Sequence, residues 1–146
     1  MNRRNLLAGA AMLAAAAPLA RAATAPAHNH HAHGNSAQAE LLLDVVADCL
    51  NKGEVCLAHC LMLLGDGDKS LAGCARSVSE TLALCESLRK LVAQGSKHAK
   101  PVALIAMAAC QDCEKECQKH AKTHKECREC AAACAACAKE CKAFAA

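Results

Sequence analysis

The stretch ECRECAAACAACAKEC, residues 126–141, carries Cys127, Cys130, Cys134, Cys137 and Cys141, in steps of three, four, three and four. An α-helix turns once every 3.6 residues, so these steps place all five thiols on one helix face. Only small or charged residues stand between them. A sulfur-lined face of this kind needs a partner surface, and the rest of the chain supplies three more.

Ser36 suits the N-cap of a first helix running to about residue 64, where Gly65-Asp66-Gly67 stops it. Its apolar phase, Leu42, Val45, Cys49, Cys56, Cys60 and Leu63, continues across Gly53, so the segment reads as one helix with room for a bend. Asp68 or Ser70 caps a second helix. Its inner stripe is Leu71, Cys74, Val78, Leu82, Cys85, Leu88 and Val92, ending at Gly95. Pro101 suits the first turn of a third helix carrying Ala106, Cys110, Cys113, Cys117 and His120. Thr123-His124-Lys125-Glu126 has the form of a capping box and the heptad slips there, so a fourth helix runs from about residue 124 to 143. Four helices with short links predict an all-α, antiparallel, up-down-up-down four-helix bundle with a cysteine-lined core.

The bundle is expected over residues 36–146. Ahead of it, residues 1–22 read as a twin-arginine signal peptide. Asn2-Arg3-Arg4-Asn5-Leu6-Leu7 is the twin-arginine pattern, residues 8–17 are a short apolar core, and Ala20-Arg21-Ala22 offers a cleavage site. The apolar run is too short to span a bilayer. Residues 23–35 form an expected flexible tail in which His28, His30, His31 and His33 can gather metal ions. Export through the twin-arginine route predicts a periplasmic protein. Because that route carries folded proteins, the thiols are buried before they meet an oxidising compartment.

Removal of Arg3, Arg4 and Arg21 takes the 17 basic residues to 14, against 14 acidic ones. A near-neutral chain gives no electrostatic warrant for nucleic acid or an anionic membrane as partner. Catalysis finds little support either: no H-E-x-x-H, no E-x-x-H diiron pair and no nucleophile elbow is present. The 13 cysteines in an exported chain suggest a disulfide scaffold. Their number is odd, however, and the segment is helical in composition rather than rich in loops. Cβ atoms three or four residues apart on a helix are about 5–6 Å apart, whereas a disulfide holds them at about 3.8 Å. A metal ion between two sulfurs fills that gap.

Thiolates select Cu(I), zinc or iron–sulfur clusters. Zinc sites draw on separated ligand pairs, and the C-x2-C-x2-C spacing of an iron–sulfur site is absent. Cu(I) accepts two or three sulfurs and lets each thiolate bridge neighbours, so a continuous stripe can hold a string of ions. That points to storage. A zinc- or cadmium-sequestering protein, or a redox-active thiol protein, stays open as the alternative.

With these features the chain resembles the four-helix-bundle copper storage proteins. The likeness rests on Cys49, Cys56 and Cys60, on Cys74 and Cys85, on Cys110-x-x-Cys113-x-x-x-Cys117, and on Cys127 through Cys141. The twin-arginine leader is similar to that of the exported members, known from methane-oxidising bacteria. The resemblance implies multiple Cu(I) ions held by inward thiolates, as a reserve for a copper enzyme such as the particulate methane monooxygenase. It also implies an entrance at one end, helped by His and Met.

Topology locates that end independently. In an up-down-up-down bundle the end of the first helix, the start of the second, the end of the third and the start of the fourth lie together. His59, Met62, His120 and His124 therefore share one mouth, and Leu41, Leu42, Val45, Leu91, Val92 and Val102 plug the opposite end. Leu43, Leu50, Leu57 and Leu64 recur every seven residues beside the thiol stripe. That row suggests a homo-oligomer, a tetramer being one such assembly.

Overall fold

The computed structural model describes residues 36–146, and the leader and the His-rich tail lie outside the described residues. Four α-helices follow one another: α1 Ala37–Gly65, α2 Ala72–Ala93, α3 Ala99–Gln118 and α4 Lys125–Ala145. A 3-10 turn, Lys69–Leu71, leads into α2. Each helix packs on two neighbours: α1 and α3 both touch α2 and α4 and lie across the diagonal from one another. This is the up-down-up-down bundle that the short links require.

The helix ends follow local chemistry. The Ala39 backbone N–H donates both to the Ser36 carbonyl at 2.7 Å and to the Ser36 hydroxyl at 3.3 Å, which caps α1. Asp68 accepts from the Ser70 N–H at 3.0 Å and starts the 3-10 turn. Gly67 and Gly95 take positive φ values of 96° and 62°, where a side chain would be strained, and so end α1 and α2. The capping box expected at residues 123–126 does not form. His124, with extended backbone, is the N-cap of α4 and makes no side-chain capping bond. The Thr123 hydroxyl instead donates to the His120 carbonyl at 3.2 Å and so closes the turn leaving α3.

The buried stripe of α1 is Ala39, Leu42, Val46, Cys49, Gly53, Cys56 and Cys60. Val46 thus replaces the expected Val45, and Leu63 is only half-buried. On α2 the buried position is Thr81 rather than Leu82, because steps of four, three and four from Cys74 run through Val78 and Thr81 to Cys85. Thr81 tolerates burial because its hydroxyl donates to the Ala109 carbonyl across the α2–α3 seam, at 3.1 Å. The expected plug is only partly present: Leu42 and Val92 are buried, Val45, Leu91 and Val102 half-buried, and Leu41 exposed. A cleft of about 390 Å³ opens at that end, between Ser36, Val92, Lys100 and Phe144.

Candidate metal centre

Every one of the thirteen cysteines is a free thiol and every one is buried. They line the bundle axis because each helix turns its three-and-four-spaced face inward. Residues from different helices then meet. Cys74 and Cys117 approach to 3.4 Å between sulfurs, Cys85 and Cys110 to 3.7 Å, and Cys49 and Cys134 to 3.9 Å. Along single helices Cys113 meets Cys117, and Cys137 meets Cys141, both at 3.9 Å. A metal–thiolate bond is about 2.3 Å, so one ion spans sulfurs at most about 4.6 Å apart. The pairs are already within that reach, and no helix has to move to take an ion.

The sulfurs gather in four sets whose members lie within 4.8 Å of one another. Cys56, Cys60, Cys74 and Cys127 form an outer cage towards the end of α1, and Cys56, Cys117 and Cys130 adjoin it. Cys113, Cys130 and Cys134 follow. An inner cage, Cys49, Cys85, Cys110 and Cys137, takes one thiol from each helix. Cys141 lies past it, 3.9 Å from Cys137. The surroundings are apolar, and Thr81 is the single buried polar residue among those described. Burial accordingly pushes the Cys60 and Cys127 thiols above their ordinary range, desolvation of the thiolate acting first and the charge of Cys56 second.

At the mouth His59 Nε2 and His124 Nδ1 share a hydrogen bond of 2.9 Å, with the direction set by the tautomers. The ring centroids of His120 and His124 are 6.4 Å apart. Topology therefore does bring the three histidines together. Met62 does not join them. It is 58 % exposed on the outer side of α1, three residues and so most of a turn beyond His59. A carboxylate takes the vacant place: Glu126 Oε2 lies 3.7 Å from His59 Nε2. Sequence reading passed over Glu126 as a capping residue, although its position beside Cys127 could have marked it. His59 and Glu126 each precede an outer-cage cysteine, Cys60 and Cys127, so the polar mouth lies beside the outer cage. Among the described residues no helix is long and apolar enough to cross a membrane.

A family model described as copper storage protein matches residues 35–146. The chain is also similar to solved structures. Apo copper storage protein 3 from Bacillus subtilis is 30 % identical, with a TM-score of 0.65 over 73 % of this chain and 98 % of that one. The Cu(I)-bound copper storage protein BsCsp3 is 28 % identical, with a TM-score of 0.67 over 75 % and 99 % of the two chains. No curated protein sequence matches it.

Proposed function

The chain belongs to the copper storage protein family, and from that premise we propose that it holds a string of Cu(I) ions on its axial thiolates as a reserve. The observation that carries this reading is thirteen buried thiols in an apolar core, with no buried cation among the described residues to balance them. One Cu(I) per thiolate leaves that core neutral, whereas a divalent ion on four thiolates leaves two negative charges in apolar surroundings, at substantial cost. Cys49, Cys56, Cys60, Cys74, Cys85, Cys110, Cys113, Cys117, Cys127, Cys130, Cys134, Cys137 and Cys141 are the resting ligands. His59, His120, His124 and Glu126 receive ions at the mouth. Met62, on the outer side, assists only before an ion reaches them.

The role is storage rather than catalysis, because a column of equivalent soft ligands retains ions and presents no open position to a substrate. Anaerobic titration with Cu(I) against a chromogenic chelator tests it. The protein should withhold roughly one ion per cysteine, on the order of 13 per chain. Saturation at about one to three ions points to a delivery chaperone instead. Zinc suits the two four-thiol cages: their sulfurs all lie within 4.8 Å of one another, and two contacts in each, at 3.7–4.0 Å, are near the roughly 3.8 Å edge of a zinc–sulfur tetrahedron. It should therefore stop at about two ions per chain.

The finer parts of the reading rest on separate features. The row Leu43, Leu50, Leu57 and Leu64 packs half-buried on the bundle's own core. Leu41, Val55, Leu61 and Met62 on α1 expose about half of their area instead, and these support association of copies into a homo-oligomer. Sedimentation of Leu61→Lys against wild type tests this, and an unchanged mass removes it. The twin-arginine pattern supports export to the periplasm, and Arg3→Lys with Arg4→Lys should leave the protein in the cytoplasm. A recipient copper enzyme such as the particulate methane monooxygenase fits a reserve of Cu(I). Transfer from the loaded protein to apo-enzyme, followed by enzyme activity, tests that link.

A further inference from the structure

The thirteen thiols are not evenly spread. Between the outer cage and the inner cage, α1 and α2 carry no sulfur: Gly53 stands on α1, and Val78, Thr81 and Leu82 stand on α2. A Cβ built on Gly53 would lie 2.8 Å from Leu82 Cδ2, so the two helices meet tightly there. The space enclosed at this level has no room for a water molecule. Sulfur in the neck comes from α3 and α4 alone, as Cys113, Cys130 and Cys134. Cys130 also belongs with Cys56 and Cys117 on the outer side. Cys134 lies 3.9 Å from Cys49 of the inner cage.

We propose that Cys113, Cys130 and Cys134 form a relay that passes Cu(I) from the outer cage to the inner one, so that the store is two compartments in series. This rests on the storage reading and gives it an internal order. A bare cation in a dry apolar neck is far too costly to exist, so an ion advances only if the next sulfur binds before the last one lets go. The 3.9 Å between Cys134 and Cys49 permits that, since two metal–thiolate bonds of about 2.3 Å span it. In each step one Cu–S bond forms and one breaks, and copper stays Cu(I). The thiol proton of the receiving cysteine passes back to the sulfur being vacated. Cu(I) moves inward as a proton moves outward, and no net charge crosses the neck.

Cys134→Ser removes the junction sulfur with little change of volume and leaves both four-thiol cages whole. Anaerobic stopped-flow uptake is read beside equilibrium titration for wild type, Cys134→Ser and Cys141→Ser. Cys134→Ser should fill its outer thiols at the wild-type rate and its inner cage at least about tenfold more slowly, as a separate phase. Removal by a chelator should show the same split, and final capacity should fall by only about one or two ions. Cys141→Ser, at the far end, should lose similar capacity with no slow phase. Cys113→Ser cuts the α3 side of the same neck and serves as the test if Cys134→Ser loses its helical circular dichroism. Uptake by the neck variants in one phase at the wild-type rate overturns the relay and leaves storage standing. A wild type that saturates at about one to three ions overturns storage and the relay with it.

Discussion

Cys60 and Cys127 face the lip of the column, and each is held neutral by the loss of water around its sulfur and by the charge of Cys56. An unfolded cysteine titrates at about 8.5, and both folded thiols titrate above that. A group whose folded pKa is raised contributes stability in full below the unfolded value, and this is lost as pH rises through the folded value. Cys56, whose thiol is lowered by its hydrogen bond to Cys117, acts in the opposite sense, so the contribution of the raised pair is read by difference. Tm of the metal-free wild type should fall relative to a Cys60→Ser, Cys127→Ser variant as pH climbs past about 9. Thermal melts of both proteins across the range under reducing conditions decide it, and a difference independent of pH contradicts the assignment.

In α1, Gly53 sits mid-helix, where glycine costs about 1 kcal/mol relative to alanine. Its presence is explained by Leu82, whose Cδ2 lies 2.8 Å from where a Cβ would stand. Overpacking of this kind costs about 1–3 kcal/mol, so Gly53→Ala should destabilise the wild type slightly. It should stabilise a Leu82→Ala background by up to about 1 kcal/mol. Urea melts of the double-mutant cycle read that change of sign, and additivity would mean that the contact is soft. The cysteines themselves marked the inner face of every helix, so thiol register, helix number and the break between α3 and α4 were legible in the sequence. Other features were not. Thr81 lost to Leu82 on hydropathy, because its hydroxyl is satisfied by Ala109, 28 residues away. Val45 and Val46 differ by 100° on the helix but not in chemistry. The capping box read correctly as a break but failed as a cap, because His124 is drawn to His59 across the mouth.

The bundle as a whole is assembled without metal. Leu42, Val46, Leu71, Val78, Leu88 and Val92 are almost fully buried, each favouring the folded state by about 1.5–3 kcal/mol over exposure. The reduced metal-free protein should thus be folded, its far-UV circular dichroism changing little on loading, and a random-coil spectrum would refute a preformed column. Lys52 bridges α1 to α4 through Glu129 at 3.1 Å beside Gly53, about two turns from the mouth, and His59 and His124 are already paired at the mouth itself before any ion arrives. Capacity then belongs to the axis and rate belongs to the end. The His59–His124 pair stands at the mouth beside the outer cage, and neither ring belongs to the inner set of thiols. Replacing both histidines with alanine should slow Cu(I) uptake and removal by about tenfold or more and leave the equilibrium capacity within about one ion of wild type. Met62→Ala, on an exposed side chain, should do much less to the rate. Replacing Cys130, Cys134 and Cys137 should instead lower capacity by several ions while the earliest phase of uptake keeps its rate. Stopped-flow uptake and equilibrium titration on the same three variants separate the two roles. If the histidine variant lost most of its capacity, ions would rest at the mouth rather than pass through it, and the division between gate and store would fail.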